Sequence, residues 1–192
     1  LLDPADRRHR YPFTNCTACG PRFTIALGVP YDRPATTMAA FRMCPACARE
    51  YGDPLDRRFH AQPNACPACG PRVALRDAAG APLPSSDPIR DCAAALRAGR
   101  VAAVKGLGGY HLACDASAPA AVRRLRERKR REEKPLAVMV ADLDAARAVA
   151  ELSPAEAALL AAAERPIVLC RRREDAALAP ELAPGSPIVG LM

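Results

Sequence analysis

Two segments of this chain, Asp3 to Arg22 and Asp53 to Arg72, repeat one pattern fifty positions apart, and each ends in a C-x-x-C pair. Asp3-Pro4, Asp6, Arg7-Arg8, Cys16, Cys19 and Gly20-Pro21-Arg22 recur as Asp53-Pro54, Asp56, Arg57-Arg58, Cys66, Cys69 and Gly70-Pro71-Arg72. A repeat outranks local propensity because it shows which cysteines belong together. Cys44 and Cys47 precede Cys66 and Cys69 with eighteen residues between, the spacing of a four-thiolate zinc site. Subtracting the period places the corresponding partners of Cys16 and Cys19 before Leu1. The reading is one whole zinc site and one half site, in a chain cut from a longer protein.

Two residues between thiolates let the chain turn back so that both sulfurs reach one ion about 2.3 Å away. Pro45 and Pro67 inside the knuckles, and Gly70 after the last ligand, agree with Cys44, Cys47, Cys66 and Cys69 as a complete set. Four thiolates leave no position for water, so the zinc is expected to be structural. Cys16 and Cys19 are expected to bind zinc once their partners are supplied. A redox C-x-x-C is disfavoured, since no strand-helix context surrounds the pairs. His9 and His60 read as surface histidines or supports of the ligands, and Cys92, Cys114 and Cys170 as buried structural thiols. Six of the nine cysteines in C-x-x-C pairs suit a reducing compartment, and the expected location is the cytoplasm.

Residues 1–73 are rich in Cys, Pro, Gly and charge, so metal must supply stability that apolar burial cannot. The expected division is an incomplete first finger over 1–24, a complete four-cysteine finger over 25–73, a linker over 74–86 and a second domain over 87–192. In that domain Asp87-Pro88 opens a helix that Gly99 stops, and Val101 to Val104 reads as a buried strand. Ser117 and Pro119 open a second helix, Leu136 to Ala141 a second buried strand, and Asp142 caps a third helix. Ser153-Pro154-Ala155-Glu156 is a capping box for a fourth helix to about Glu164, followed by a strand from Ile167 to Cys170. The fold class is therefore small zinc-ribbon-like fingers followed by an incomplete α/β or α+β domain. No apolar run approaches membrane-spanning length, so no membrane partner is expected.

The formal net charge of +7 favours polyanionic partners, a nucleotide triphosphate or nucleic acid. The stretch from Val104 to Asp115 leaves a predicted strand and is the best candidate active site. Lys105 offers a point charge, Gly106, Gly108 and Gly109 let backbone N–H groups approach an anion, and Tyr110 and His111 follow. It is neither a Walker A motif nor a dinucleotide fingerprint, and a plain glycine turn between two strands is the competing reading. The basic run from Arg128 to Lys134 sits at the end of the next helix and suits phosphate neutralisation. A solvated helix face explains that run as well, because Glu127, Glu132 and Glu133 interrupt it.

The repeated D-P-x-D-R-R, the knuckles ending C-P-A-C-G-P-R, the stretch Lys105 to Ala116 and the run Arg128 to Leu136 together resemble the HypF carbamoyltransferases, which are hydrogenase maturation factors. The resemblance covers essentially the whole chain. It implies that residues 87–192 belong to a YrdC-like domain truncated at its C-terminus, within a parent that also carries an acylphosphatase-like domain and a carbamoyl-transfer domain. It further implies hydrolysis of carbamoyl phosphate, formation of carbamoyl adenylate with ATP and Mg2+, and transfer to the C-terminal cysteine of HypE for cyanide synthesis. YrdC-type proteins use a K-x-R pair ahead of a K-P-L-like strand. Lys129 and Arg131 match it one residue out of register, leaving Arg128 and Arg130 as alternatives. Their T-[D/E]-x-x-[Y/F]-G loop is replaced here by Lys105 to Tyr110, and their S-x-N segment would lie past Met192, so this piece alone is expected to be inactive. The competing function is a zinc-ribbon module binding double-stranded RNA. The fingers are expected to act as a rigid spacer.

Overall fold

A computed structural model describes residues 2–106 and 108–192; Leu1, and Leu107 of the glycine stretch, lie outside the described residues. The chain divides into two compact units, Leu1–Pro84 and Ser85–Met192.

In the first unit the repeat in sequence is a repeat in conformation. Asp3 and Asp53 each accept a hydrogen bond from the backbone N–H two residues on, both at 2.9 Å, and Asp6 and Asp56 do the same for Arg8 and Arg58 at 2.7 Å. These turns are why aspartate recurs at those places, since its short carboxylate reaches back to its own chain. Arg10 and His60, fifty positions apart, both take positive φ, at 56° and 50°. The knuckles close alike, Gly20 and Gly70 donating backbone N–H to Cys16 O and Cys66 O at 2.8 Å. A Cβ on Gly70 would stand 2.2 Å from Tyr11 Oη and 2.6 Å from Ala65 Cβ, so only glycine fits.

Between the copies run two 3-10 turns, Arg33–Ala35 and Thr37–Ala40, and helix α1, Pro45–Gly52. Pro45 occupies the first turn of α1, where its missing N–H costs nothing. The apolar core here is small: Tyr11, Ile25, Met38 and Ala65, flanked by Tyr31 and Phe41. Residues 74–86, read as a linker, carry a short antiparallel hairpin of β1, Leu75–Arg76, and β2, Pro82–Leu83.

The second unit begins with α2, Pro88–Arg97, capped by Asp87, whose carboxylate accepts from Arg90 N at 3.0 Å. Strands β3, Ala102–Lys105, and β4, Tyr110–Ala113, form an antiparallel hairpin pairing Lys105 with Tyr110. Helix α3 follows at Pro119–Lys129, then α4 at Leu143–Val149 and β5 at Ala150–Glu151. Helix α5, Pro154–Ala161, carries the capping box of Ser153 and Glu156 and stops three residues short of expectation. Strands β6, Val168–Arg172, and β7, Ile188–Leu191, complete an antiparallel sheet in the order β5-β6-β7. Its buried face, with Val168, Cys170, Val189 and Leu191, packs on Val122, Val138, Ala146, Leu160 and Leu182.

Four expectations are corrected. Val101 to Val104 is not buried: Val104 is 47% exposed, because β3 pairs with β4 alone and its side chains have no second layer among the described residues. Leu136 to Ala141 makes no regular strand, only a parallel bridge from Val138 to Leu191, with Val138 N donating to Gly190 O at 2.8 Å. Continuous apolar runs suggested burial on both faces, yet the paired strands are antiparallel with one face covered. Ser117 does not cap α3; Ala118 holds that position, and Ser117 bonds Asp115 at 2.7 Å. Of the three lone cysteines only Cys170 is fully buried, Cys92 and Cys114 being half-buried.

Candidate metal centre

Cys44 is the N-cap of α1 and Cys47 lies in its first turn, so both sulfurs gather where the helix presents free N–H groups. The second knuckle brings Cys66 and Cys69 against them, and the four sulfurs lie within 4.8 Å of one another. Cys44–Cys66 and Cys66–Cys69 separations are 3.8 Å, and Cys47–Cys69 is 3.6 Å. A tetrahedron with metal–sulfur bonds of about 2.3 Å has edges of about 3.8 Å, so the cluster has the dimensions that zinc requires. The backbone N–H of Cys47 helps draw the Cys44 thiol down to about 6. Burial pushes Cys47 up to about 12. Bound zinc is what would hold that buried sulfur as a thiolate.

Four thiolates around a divalent ion leave two negative charges to be balanced, and two arginines of the first repeat answer them. Arg7 and Arg8 donate to Cys47 Sγ at 3.3 and 3.5 Å. Arg8, only 4% exposed, also donates to Ala65 O at 2.7 Å, Asn64 Oδ1 at 2.9 Å and Glu50 Oε2 at 2.5 Å. Glu50, on α1, bonds both arginines, and Asn64 donates to Cys47 O at 3.0 Å. Burial opposes ionisation of Glu50, but the hydrogen bonds from Arg8 and Arg7 outweigh it and hold the carboxyl at about 2. Arg33, also buried, donates to Gln62 O at 2.6 Å, Asn64 O at 2.8 Å and Phe41 O at 2.6 Å, tying the 3-10 turn ahead of Cys44 to the residues just before Cys66. Partners that orient the ligands in this way shape metal affinity nearly as much as the ligands do.

Arg8, Glu50, Asn64 and Arg33 were not legible as site residues from spacing. The available signal was the repetition of Arg-Arg at the fifty-residue period, which marks a shared task without naming it. Cys16 and Cys19 face each other within hydrogen-bonding reach and are exposed. His60 stacks on Tyr51 at 5.1 Å and stays at the surface.

The glycine stretch is the turn of the β3-β4 hairpin. Gly106 N donates to Gly109 O at 2.7 Å, and Lys105 Nζ stands 5.4 Å from the centre of the Tyr110 ring. A Cβ on Gly106 would meet His111 Nε2 at 2.6 Å, the tip of an exposed side chain that can swing aside. Gly108 is exposed. Of the basic run, Arg128, Lys129 and Arg130 are exposed at the end of α3, while Arg131 turns back to donate to Lys134 O at 3.0 Å and Pro135 O at 2.5 Å. A further arginine, Arg126, is buried and donates to Arg131 O, Glu132 O, Glu181 O and Leu182 O, pinning that basic loop to the body of the unit.

A closed four-thiolate finger followed by a small α+β unit defines the class. The family model described as HypF finger matches residues 1–26 and 43–76, and the Sua5/YciO/YrdC model, described as Telomere recombination, matches 94–192. Carbamoyltransferase HypF2 of Cupriavidus necator is 55% identical over 194 residues, covering 100% of this chain and 24% of the relative. Carbamoyltransferase HypF of Rhodobacter capsulatus is 58% identical over 186 residues, covering 97% of this chain and 24% of the relative. Among solved structures, HypF of T. kodakarensis superposes with a TM-score of 0.93 at 45% identity, over 100% of this chain and 25% of that one. A full-length HypF in a phosphate- and nucleotide-bound form gives 0.88 at 47%, again over 100% of this chain and 25% of that one. This chain belongs to the HypF family. It spans about a quarter of the length of the relatives it matches.

Proposed function

We propose that the chain supplies the finger and YrdC-like parts of a carbamoyltransferase that converts carbamoyl phosphate and ATP, with Mg2+, to carbamoyl adenylate. The carbamoyl group then passes to the C-terminal cysteine of HypE, for cyanide ligand synthesis in nickel-iron hydrogenase maturation. The observation that carries this reading is the match to proteins named carbamoyltransferase HypF, at 44–58% identity over 91–100% of this chain.

Cys44, Cys47, Cys66 and Cys69 would hold zinc, which supplies a cross-link between segments that have little apolar core of their own. Cys16 and Cys19 supply half of a second such site. Adenylation needs positive charge and backbone donors around a triphosphate. Lys105 stands exposed at the end of β3, and the N–H groups of Gly108 and Gly109 donate to no acceptor among the described residues. Tyr110 and His111 flank that turn, and Lys129 and Arg131 are the further phosphate ligands in this scheme, with Arg128 and Arg130 as alternatives. The test is carbamoyl-phosphate-dependent conversion of ATP to AMP by the full-length parent. Lys105→Ala and Arg131→Ala are each expected to slow it about 100-fold, as loss of one preorganised donor does. Undiminished turnover in both variants would refute these residues as nucleotide ligands.

The exposed Arg128, Lys129 and Arg130 support a second reading, binding of double-stranded RNA. It requires an affinity that falls steeply as salt rises and survives at physiological ionic strength.

A further inference from the structure

The metal centre is crossed: arginines of the first repeat serve the cysteines of the second finger. Arg57 and Arg58 occupy the equivalent places in the second repeat, with the same turn, the same exposed first arginine and the same buried second one. Arg58 is 8% exposed, yet no carboxylate, carbonyl or sulfur among the described residues accepts from its guanidinium. Thr14, whose counterpart Asn64 bridges Arg8, Glu50 and Cys47, also has a buried hydroxyl with no partner among the described residues. Arg8, Arg58, Thr14 and Asn64 line one small cavity, two repeat-related pairs facing one another. One half of this arrangement is satisfied, and the other has no anion among the described residues. A guanidinium taken from water without a counter-charge is unfavourable enough that the folded protein must supply one.

We propose that Arg57 and Arg58 clamp a carboxylate and a thiolate of the segment preceding Leu1, so that each finger's arginine pair locks the other finger's metal knuckle. The period identifies the partners. The equivalent of Glu50 falls at the position immediately before Leu1, and the equivalent of Cys47 three positions earlier. Thr14 takes the part of Asn64, its hydroxyl donating to that carboxylate. The relatives are about four times as long as this chain, which leaves ample sequence for such a segment. The clamp rests on the zinc reading given under Proposed function, and it makes the two sites interdependent: neither finger is stabilised by its own arginines.

The test uses the full-length parent and follows thiol alkylation in the presence of a chelator, each cysteine being scored by peptide mass spectrometry. Arg58→Ala is expected to speed alkylation of Cys16 and Cys19 by about 10- to 100-fold, the usual effect of removing a group that orients metal ligands, with Cys44, Cys47, Cys66 and Cys69 near the wild-type rate. Arg8→Ala is expected to do the converse. If Arg58→Ala expresses poorly, Arg58→Lys, which keeps the charge and loses the planar fork, shows the same crossed pattern with a smaller factor. Faster alkylation of Cys66 and Cys69 in the Arg58 variants, equal acceleration at all six cysteines, or no change at Cys16 and Cys19 would overturn the clamp. Zinc content of the wild-type parent is measured separately. A value below two per chain counts against the metal reading, while the crossed protection pattern still decides the clamp.

Discussion

Replacing Glu50 by glutamine tests whether the ring of charge around the metal centre matters energetically. The substitution keeps the shape of the side chain and one acceptor oxygen, but removes the negative charge shared by Arg7 and Arg8 and turns an amide group toward their N–H donors. A carboxyl held near 2 rather than its ordinary 4.5 carries about 3 kcal/mol of preference for the charged form. Glu50 keeps 20% exposure and Arg7 35%, so screening reduces this to about 2–3 kcal/mol. Breaking a buried ion pair from one side costs about 3–5 kcal/mol, which brackets the same range from above. Because this finger has a small apolar core, the loss is expected to appear as metal affinity. Zinc competition against a chromogenic chelator at pH 7 is expected to show Glu50→Gln binding about 30- to 150-fold more weakly.

The sign of the pH dependence follows from the same shift. A carboxylate depressed in the folded state contributes fully above its unfolded value, near 4.5, and loses that contribution as pH falls toward 2. Both proteins bind zinc less well in acid because thiolates take up protons, but their ratio is expected to stay constant from pH 8 to pH 5.5. A variant within twofold of wild type, or a ratio that collapses between those pH values, would refute the electrostatic account.

Three other outcomes follow from packing. Gly70→Ala puts a methyl into Tyr11 Oη and Ala65, and is expected to destabilise the first unit by about 1–3 kcal/mol, while Gly52→Ala, which meets nothing within 4 Å, is expected to be neutral or slightly stabilising in the same thermal melts. Arg126→Met leaves four carbonyls without their donor, and is expected to lower the urea midpoint of the second unit by an amount equivalent to about 2–4 kcal/mol; an unchanged midpoint would mean that water replaces the guanidinium. Removing metal with a strong chelator is expected to abolish the Tyr11 environment in near-ultraviolet circular dichroism while leaving the helical signal of α2, α3 and α5, because the second unit has its own buried core.

Cysteine spacing was sufficient to assemble the metal centre on paper, since two knuckles and an eighteen-residue gap leave few other ways for four sulfurs to meet. The helix starts at Asp87, Asp142 and Ser153 were equally legible, because a cap is a local bond between a side chain and an N–H two or three residues away. Strands fared worse. Val101 to Val104 and Leu136 to Ala141 look alike as apolar runs, yet one is an exposed hairpin arm and the other a single bridge beside β7. Apolar content reports what a segment is able to bury, while its neighbours in space decide what it does bury. The glycine stretch shows the same limit: composition left its backbone conformation open, and the Lys105–Tyr110 pairing places it at the end of a hairpin, a position compatible with the anion-binding role proposed for it.

The sequence by itself determined the repeat, the four clustered cysteines, the helix caps at Asp87, Asp142 and Ser153, and the kinship, all of which depend on residue identity at fixed separations along the chain. Only the tertiary structure decided that Arg8 crosses to Glu50 and Cys47, that Arg126 pins the basic loop, and that Arg58 lies buried with no anion among the described residues. Most of those contacts join residues some forty to sixty positions apart, and even the short ones from Arg126 to Arg131 and Glu132 depend on where the chain turns. A guanidinium looks the same in sequence whether it faces water or replaces it, and its meaning is set by which acceptors the fold brings within about 3 Å.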